Sequence, residues 1–167
     1  MILANLLALA ISQEVSPAAA NFPCSQKAIG YYIAGAELGM AEEQIETADT
    51  SKDSVDRQRR LDSAVQHYLM VGNLDGDAEV KACAFDGLVE VYGPTRLNQP
   101  DKLEDALRQR IALKPEDLEP SLRLATLQES RGAIDRARQT LVAAEQHHPN
   151  DPDLEKQIAA LGARHPK

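Results

Sequence analysis

The feature that most constrains this chain is its punctuation. Proline, glycine and acidic caps recur at intervals that cut it into helices of about four turns. Pro115 and Pro149 lie 34 residues apart, and each closes a helical stretch and precedes an acidic cap. From Ser25 onward no stretch shows sustained strand alternation. In the last third, Asp117 stands where a cap belongs, ahead of Leu118, Leu122, Ala125 and Leu127 on adjacent helical faces. Pro120 is tolerable there because a first turn has no intrahelical donor to lose. Gly132 can take the left-handed conformation that ends this helix. A second helix carries Ile134, Ala137, Leu141 and Ala144, and Asp151-Pro152 then caps and starts a third. The spacing predicts helices near 27–47, 53–73, 77–92, 101–114, 117–131, 134–147 and 152–163.

Composition agrees with packed helices. Hydrophobic residues make up 43% and aromatics only 4% of the 167 residues, with no Trp. Such a core is built from Leu, Ala, Ile and Val, whereas a sandwich favours aromatic and β-branched residues. The formal charge of −8 argues against a nucleic-acid binder, which needs clustered Lys and Arg.

A 34-residue period of helical hairpins resembles the tetratricopeptide repeat (TPR) family. Its first-helix pattern is met by Tyr31, Ala34, Gly35 and Leu38, then by Phe85, Leu88, Val89 and Tyr92, then by Leu124 and Ala125. Its second-helix pattern is met by Ala64 and Tyr68, by Leu103 and Leu107, and by Ala137 and Leu141. Ser121 and Gln128 depart from the two aromatic positions of the third copy. The resemblance implies an all-α solenoid of about three antiparallel hairpins, at 28–76, 79–115 and 118–149, with 152–163 as a capping helix. Gly35 to Ala64 spans 29 residues against 12 from Ala125 to Ala137, so the first hairpin should be longer by about two turns per helix. The second copy has a longer turn, Gly93 to Gln99, before Pro100 starts its second helix.

The amino terminus has the layout of an export signal. Ile2 to Ile11 is apolar apart from Asn5, and it is too short to span a bilayer. Pro17 and Ala18-Ala19-Ala20 follow, which places cleavage after Ala20, although no basic residue precedes the apolar run. Residues 21–167 then form the repeat domain, with a charge of −7 once Glu14 is removed. The expected location is a periplasm or the extracellular space, in a bacterial envelope, with no stable membrane span after cleavage.

No residue pattern supplies chemistry. Glu42-Glu43, Glu104-Asp105 and Glu116-Asp117 read as capping and solvated acids. Asp75-Gly76-Asp77 reads as a helix-to-helix turn, because a calcium loop's terminal Glu is absent. His147-His148 read as solvated helix-end residues, and His67 as partly exposed. With no nucleophile motif, zinc-protease helix or phosphate loop, no catalytic, cofactor or metal site is expected.

The TPR resemblance implies instead a concave face lined by first helices, docking a protein or peptide segment. Carried over by position, that face takes Ile29, Tyr32, Ala36 and Met40 from the first copy and Asp86 and Glu90 from the second. The third supplies Glu119, Leu122, Thr126 and Glu129. Its amino end is apolar and its carboxyl end acidic, which suits a partner with apolar and basic residues. The alternative is a structural subunit that assembles with itself or with an envelope complex. Two cysteines, Cys24 and Cys83, permit one bridge in an oxidising compartment and could equally be buried apolar groups. Parallel first helices of successive repeats would set their ends side by side, so the resemblance favours the bridge, worth on the order of 4 kcal/mol.

Overall fold

The computed structural model describes residues 32–165. Within them the chain forms seven α-helices and no strand. These are α1 Tyr32–Thr50, α2 Ser54–Asn73, α3 Ala78–Tyr92, α4 Pro100–Leu113, α5 Leu118–Ser130, α6 Ile134–Glu145 and α7 Pro152–Arg164. The expected all-α class is what the described residues adopt.

Local chemistry explains most boundaries. The carboxylates of Asp53, Asp77 and Asp151 each accept a backbone N–H from the first turn of α2, α3 and α7. Pro100 and Pro152 open α4 and α7, where a missing N–H costs nothing. Gly132 takes φ 74° in the tight α5–α6 turn, and Asn98 and Asn150 take φ 49° and 63° in their loops. Asp117 differs from expectation. It holds the cap position of α5 without a side-chain capping bond, because its carboxylate turns to Arg110 Nη2 at 2.5 Å. A charged donor outcompetes a neutral amide for the same oxygen.

Side-chain pairs fix how the helices run. Glu37 meets His67 and Gln44 meets Arg60, so seven residues forward on α1 match seven back on α2. The two helices are therefore antiparallel. Their lengths of 19 and 20 residues exceed the 13 and 12 of α5 and α6, as the sequence spacing predicts. Arg96, in the turn between α3 and α4, binds Asp49 at the end of α1, and Arg57 donates to the carbonyl of Thr95. Arg131, in the α5–α6 turn, binds Asp101 at the start of α4. The turns within the pairs α1–α2, α3–α4 and α5–α6 thus lie together at one end. At the opposite end Lys114, after α4, reaches Glu79 at the start of α3.

Each helix packs on its neighbours in sequence, and α1 also touches α3. Most positions that carry the repeat pattern are interior: Ala34, Leu38, Ala64, Tyr68, Leu88, Val89, Tyr92, Leu107, Leu124, Ala125, Ala137 and Leu141 are buried, Gly35, Phe85 and Leu103 are half-buried, and Tyr31 lies outside the described residues. The tightest approach is between α2 and α3. A Cβ on Gly87 would collide with the Tyr68 ring, and one on Gly72 would meet the Phe85 ring at 3.2 Å. Each helix thus presents a glycine to the other's aromatic side chain. Buried residues divide into a large cluster reaching from Ala34 to Leu124 and a small one of Ala125, Ala137, Leu141, Ala144, Leu154 and Leu161.

Candidate functional site

Ile29 and Cys24 lie outside the described residues. Every other residue assigned to the docking face remains accessible to solvent at least in part. On α1, Tyr32, Ala36 and Met40 form one exposed stripe at four-residue spacing, with Tyr32 at 86% exposure. Asp86 and Glu90 project from α3, and Glu119, Leu122, Thr126 and Glu129 from α5. Cys83 is buried on α3.

These residues do not share one cavity. Asp86, Glu90 and Glu119 line a cleft of about 550 Å³ together with Glu116, Asp117, Arg110, Arg123 and His148. Tyr32 belongs to an apolar hollow of about 340 Å³ formed with Ile33, Val71, Leu74 and Val80. Leu122, Thr126 and Glu129 border only a shallow depression of about 10 Å³ beneath α7. There α7 occupies the face itself. Arg164 grips both oxygens of Glu129 at 2.7 and 2.8 Å, and His165 adds a contact at 3.2 Å. The Arg164 hydrogen bonds hold the Glu129 carboxyl below its ordinary value. Leu122 is half-buried against the small core cluster. The face open to a partner therefore narrows to the α1 stripe, the acidic cleft and Thr126.

The cleft is held by arginines. Arg110 is 8% exposed, with Nε on Asp86 at 2.8 Å and Nη2 on Asp117. Burial raises the Asp86 carboxyl above its ordinary value, and the Arg110 charge only partly offsets it. A ladder of ion pairs runs on across the surface. Asp49 binds Arg96, Arg96 approaches Glu90 at 3.8 Å, Glu90 binds Arg123 at 2.9 Å, and Arg123 approaches Glu119 at 3.6 Å. Five carboxylates against two guanidiniums leave the cleft with a formal charge of −3 when His148 is neutral. A site of this kind can attract and orient a cation. It places no activated nucleophile beside a base.

Three readings of the sequence change. Glu104, grouped above with solvated acids, is buried at 6% exposure and binds Arg108, Arg131 and Arg136 at 2.7, 3.2 and 3.1 Å. These contacts, the Arg108 hydrogen bond foremost, hold its carboxyl below the ordinary value. Glu42 is likewise buried, at 4%. His148 is not simply solvated: it lines the acidic cleft, and its Nε2 is buried with no hydrogen-bond partner among the described residues. His67 is partly exposed as expected and meets Glu37 at 2.6 Å. Ser121 and Gln128, at the third copy's aromatic positions, are interior at 3% and 1% exposure. Gln128 is satisfied there by donating to Glu104 and accepting from Thr140. Among the described residues no group of His, Cys, Asp or Glu is placed to hold a metal ion, and no helix is long and apolar enough to cross a membrane.

Compared with known proteins, the chain matches no protein-family model and no curated sequence.

Proposed function

We propose that this chain is a non-catalytic docking module, a TPR-like solenoid exported from the cytoplasm, that holds a segment of a partner protein along the face of α1, α3 and α5. The observation that carries this reading is the acidic cleft, where Asp86, Glu90 and Glu119 from two alternate helices meet around a cavity instead of dispersing over the surface. The apolar stripe of α1 supplies a second, uncharged contact zone. A partner segment with apolar residues at one end and basic residues at the other matches both. The Cys24–Cys83 bridge belongs to the same reading, as a staple that the exported form acquires.

Affinity capture tests it. Full-length protein carrying a carboxy-terminal tag, produced in its native host and crosslinked before extraction, should recover one dominant partner from the envelope fraction. The recovered chain should begin at Asn21, and its two cysteines should resist alkylation unless reduced. Recovery from the cytosol with residues 1–20 still attached would contradict export, and two freely alkylated thiols would remove the bridge.

A second reading, a self-assembling structural subunit, is favoured by one observation. Tyr32 and Ile33, 86% and 61% exposed, stand beside an apolar hollow on the same end of the molecule. Light scattering separates the two. A mass that rises with concentration supports self-assembly, and a constant monomer mass supports the docking module.

A further inference from the structure

We propose that the apolar hollow at the start of α1 is the seat of this chain's own residues 24–31, with Tyr31 filling it, and that this contact closes that end of the helix array against a second copy. The inference stands apart from the docking reading and bears on the alternative of self-assembly.

The register of α1 on α2 carries it. Each step back along α1 is matched by a step forward along α2, as Gln44 with Arg60 and Glu37 with His67 show. Carried on, that register sets Ile33 opposite Val71, and both line the hollow. It sets Leu74, which ends α2 and also lines the hollow, opposite position 30. The apolar end of α2 thus reaches past Tyr32, the first described residue, and its counterpart is the chain that precedes Tyr32. The helix face agrees. Ala34, Leu38, Ala41, Ile45 and Ala48 are buried on α1 at alternating steps of four and three residues. The same alternation continued backward reaches Tyr31, Lys27 and Cys24. Tyr31 therefore offers an aromatic ring to the wall that Val71, Leu74 and Val80 form.

Charge supplies an independent argument. Asp75 and Asp77 also line the hollow, and both are exposed. The Asp77 carboxylate accepts the Glu79 amide, and neither acid has an ion-pair partner among the described residues. Lys27 is the one charged residue between Val15 and Tyr31. Its stem can lie over the apolar wall while its ammonium reaches these carboxylates.

Tethering selects this occupant over a second copy. Tyr32 itself lines the hollow, so the residues before it leave from the rim. A segment joined so closely has an effective concentration on the order of millimolar, which free copies in dilute solution do not match.

The test uses the full chain, isotope-labelled, as its host processes it. Nuclear Overhauser contacts should join the Tyr31 ring to the methyl groups of Val71, Leu74 and Val80. In mixtures of differently labelled chains, these contacts should stay within one chain. Neither measurement requires a variant to fold. Light scattering should give a constant mass for Tyr31→Phe and a mass that rises with concentration for Tyr31→Ala. Lys27→Glu should speed amide exchange at Ile33 and Ala34 about threefold, and Asp75→Lys in the same chain should restore it. No contact from Tyr31 to the hollow, contacts that run between chains, or exchange unmoved by Lys27→Glu would each overturn the seat. A constant mass for Tyr31→Ala would overturn its closing role. A rising mass for the unaltered protein, with the Tyr31 contacts kept within one chain, supports the seat and moves self-assembly to another surface.

Discussion

The first four helices and the last three are held together by different physics. Between α2 and α3 the fit is one of shape, with Tyr68 seated on Gly87 and Phe85 on Gly72. That interface lies inside an apolar cluster running from Ala34 to Leu124. The small carboxy-terminal cluster holds six buried residues, all Ala or Leu, with no aromatic side chain. It joins the rest through Leu124 and Leu127 of α5, which pack into the large cluster, and through a polar hub, in which Glu104 of α4 binds Gln128 of α5, Arg131 of the following turn and Arg136 of α6. Where the expected TPR-like pattern would place aromatics, this region buries Ser121 and Gln128. A shape-specified core resists pH and salt, whereas a polar hub is rigid only while every member keeps its charge and partner.

The largest expected effect comes from crowding the tight interface. Gly87→Ala should destabilise the protein by about 3 kcal/mol, because Tyr68 is buried and has little room to yield. Urea unfolding checks it. A gain of about 1 kcal/mol, the helix-propensity benefit of alanine alone, would show that the ring moves freely. Removing the hub charge should cost less and act locally. Glu104→Gln should lose about 2 kcal/mol, with faster hydrogen exchange in α5 to α7 and unchanged protection in α2 and α3. Uniform loss along the chain would dissolve the distinction between the two regions.

Acid should separate the regions without mutation. Glu104 and Glu129 have folded values below the ordinary 4.5, so their contribution is complete above 4.5 and is lost as pH falls through the folded values. Asp56 on α2 is lowered from 3.8 to about 2, so its contribution persists to lower pH. The raised Asp86 acts in the opposite direction, since its ionisation opposes folding and that cost fades on acidification. Hydrogen exchange along a pH series should therefore open α5 to α7 before α1 to α3 below about pH 4.5. The smallest effect is at the last helix. Asp151→Ala removes bonds to the Asp153 and Leu154 amides and should cost about 1 kcal/mol, visible as fraying of α7 alone.

Much of the fold was legible because it is locally encoded. Pro100, Pro152, Asp151 and Gly132 act on their own backbone, and the added length of the first hairpin shows in residue spacing. The close approach at Gly72 and Gly87 was missed, since nothing along the chain says which glycine an aromatic ring will cover. Glu104 and Asp105 look alike in sequence. Only the Arg108 contact, four residues on, was readable, because Arg131 and Arg136 arrive from other elements. The residues proposed for docking were readable as surface, but α7 folding back onto Glu129 and Leu122 was not, because that contact spans 35 residues in the case of Arg164. Asp86 and Glu90 were legible as acidic, yet their arginine partners were not. A charge reversal at Asp86 or Glu90 would thus set lysines against Arg110 and Arg123, so the rim residues Glu116 and Glu119 give the cleaner probe.

The most direct test of the docking module is site-specific photocrosslinking in the native host. A photoreactive phenylalanine analogue replaces Glu119 or Thr126 on the proposed face, or Val55 or Val142 on exposed surface elsewhere. The account predicts the same partner crosslinked from Glu119 and Thr126, and none from Val55 or Val142. Crosslinks from Val55 or Val142 alone, or only to second copies of the chain, would contradict it.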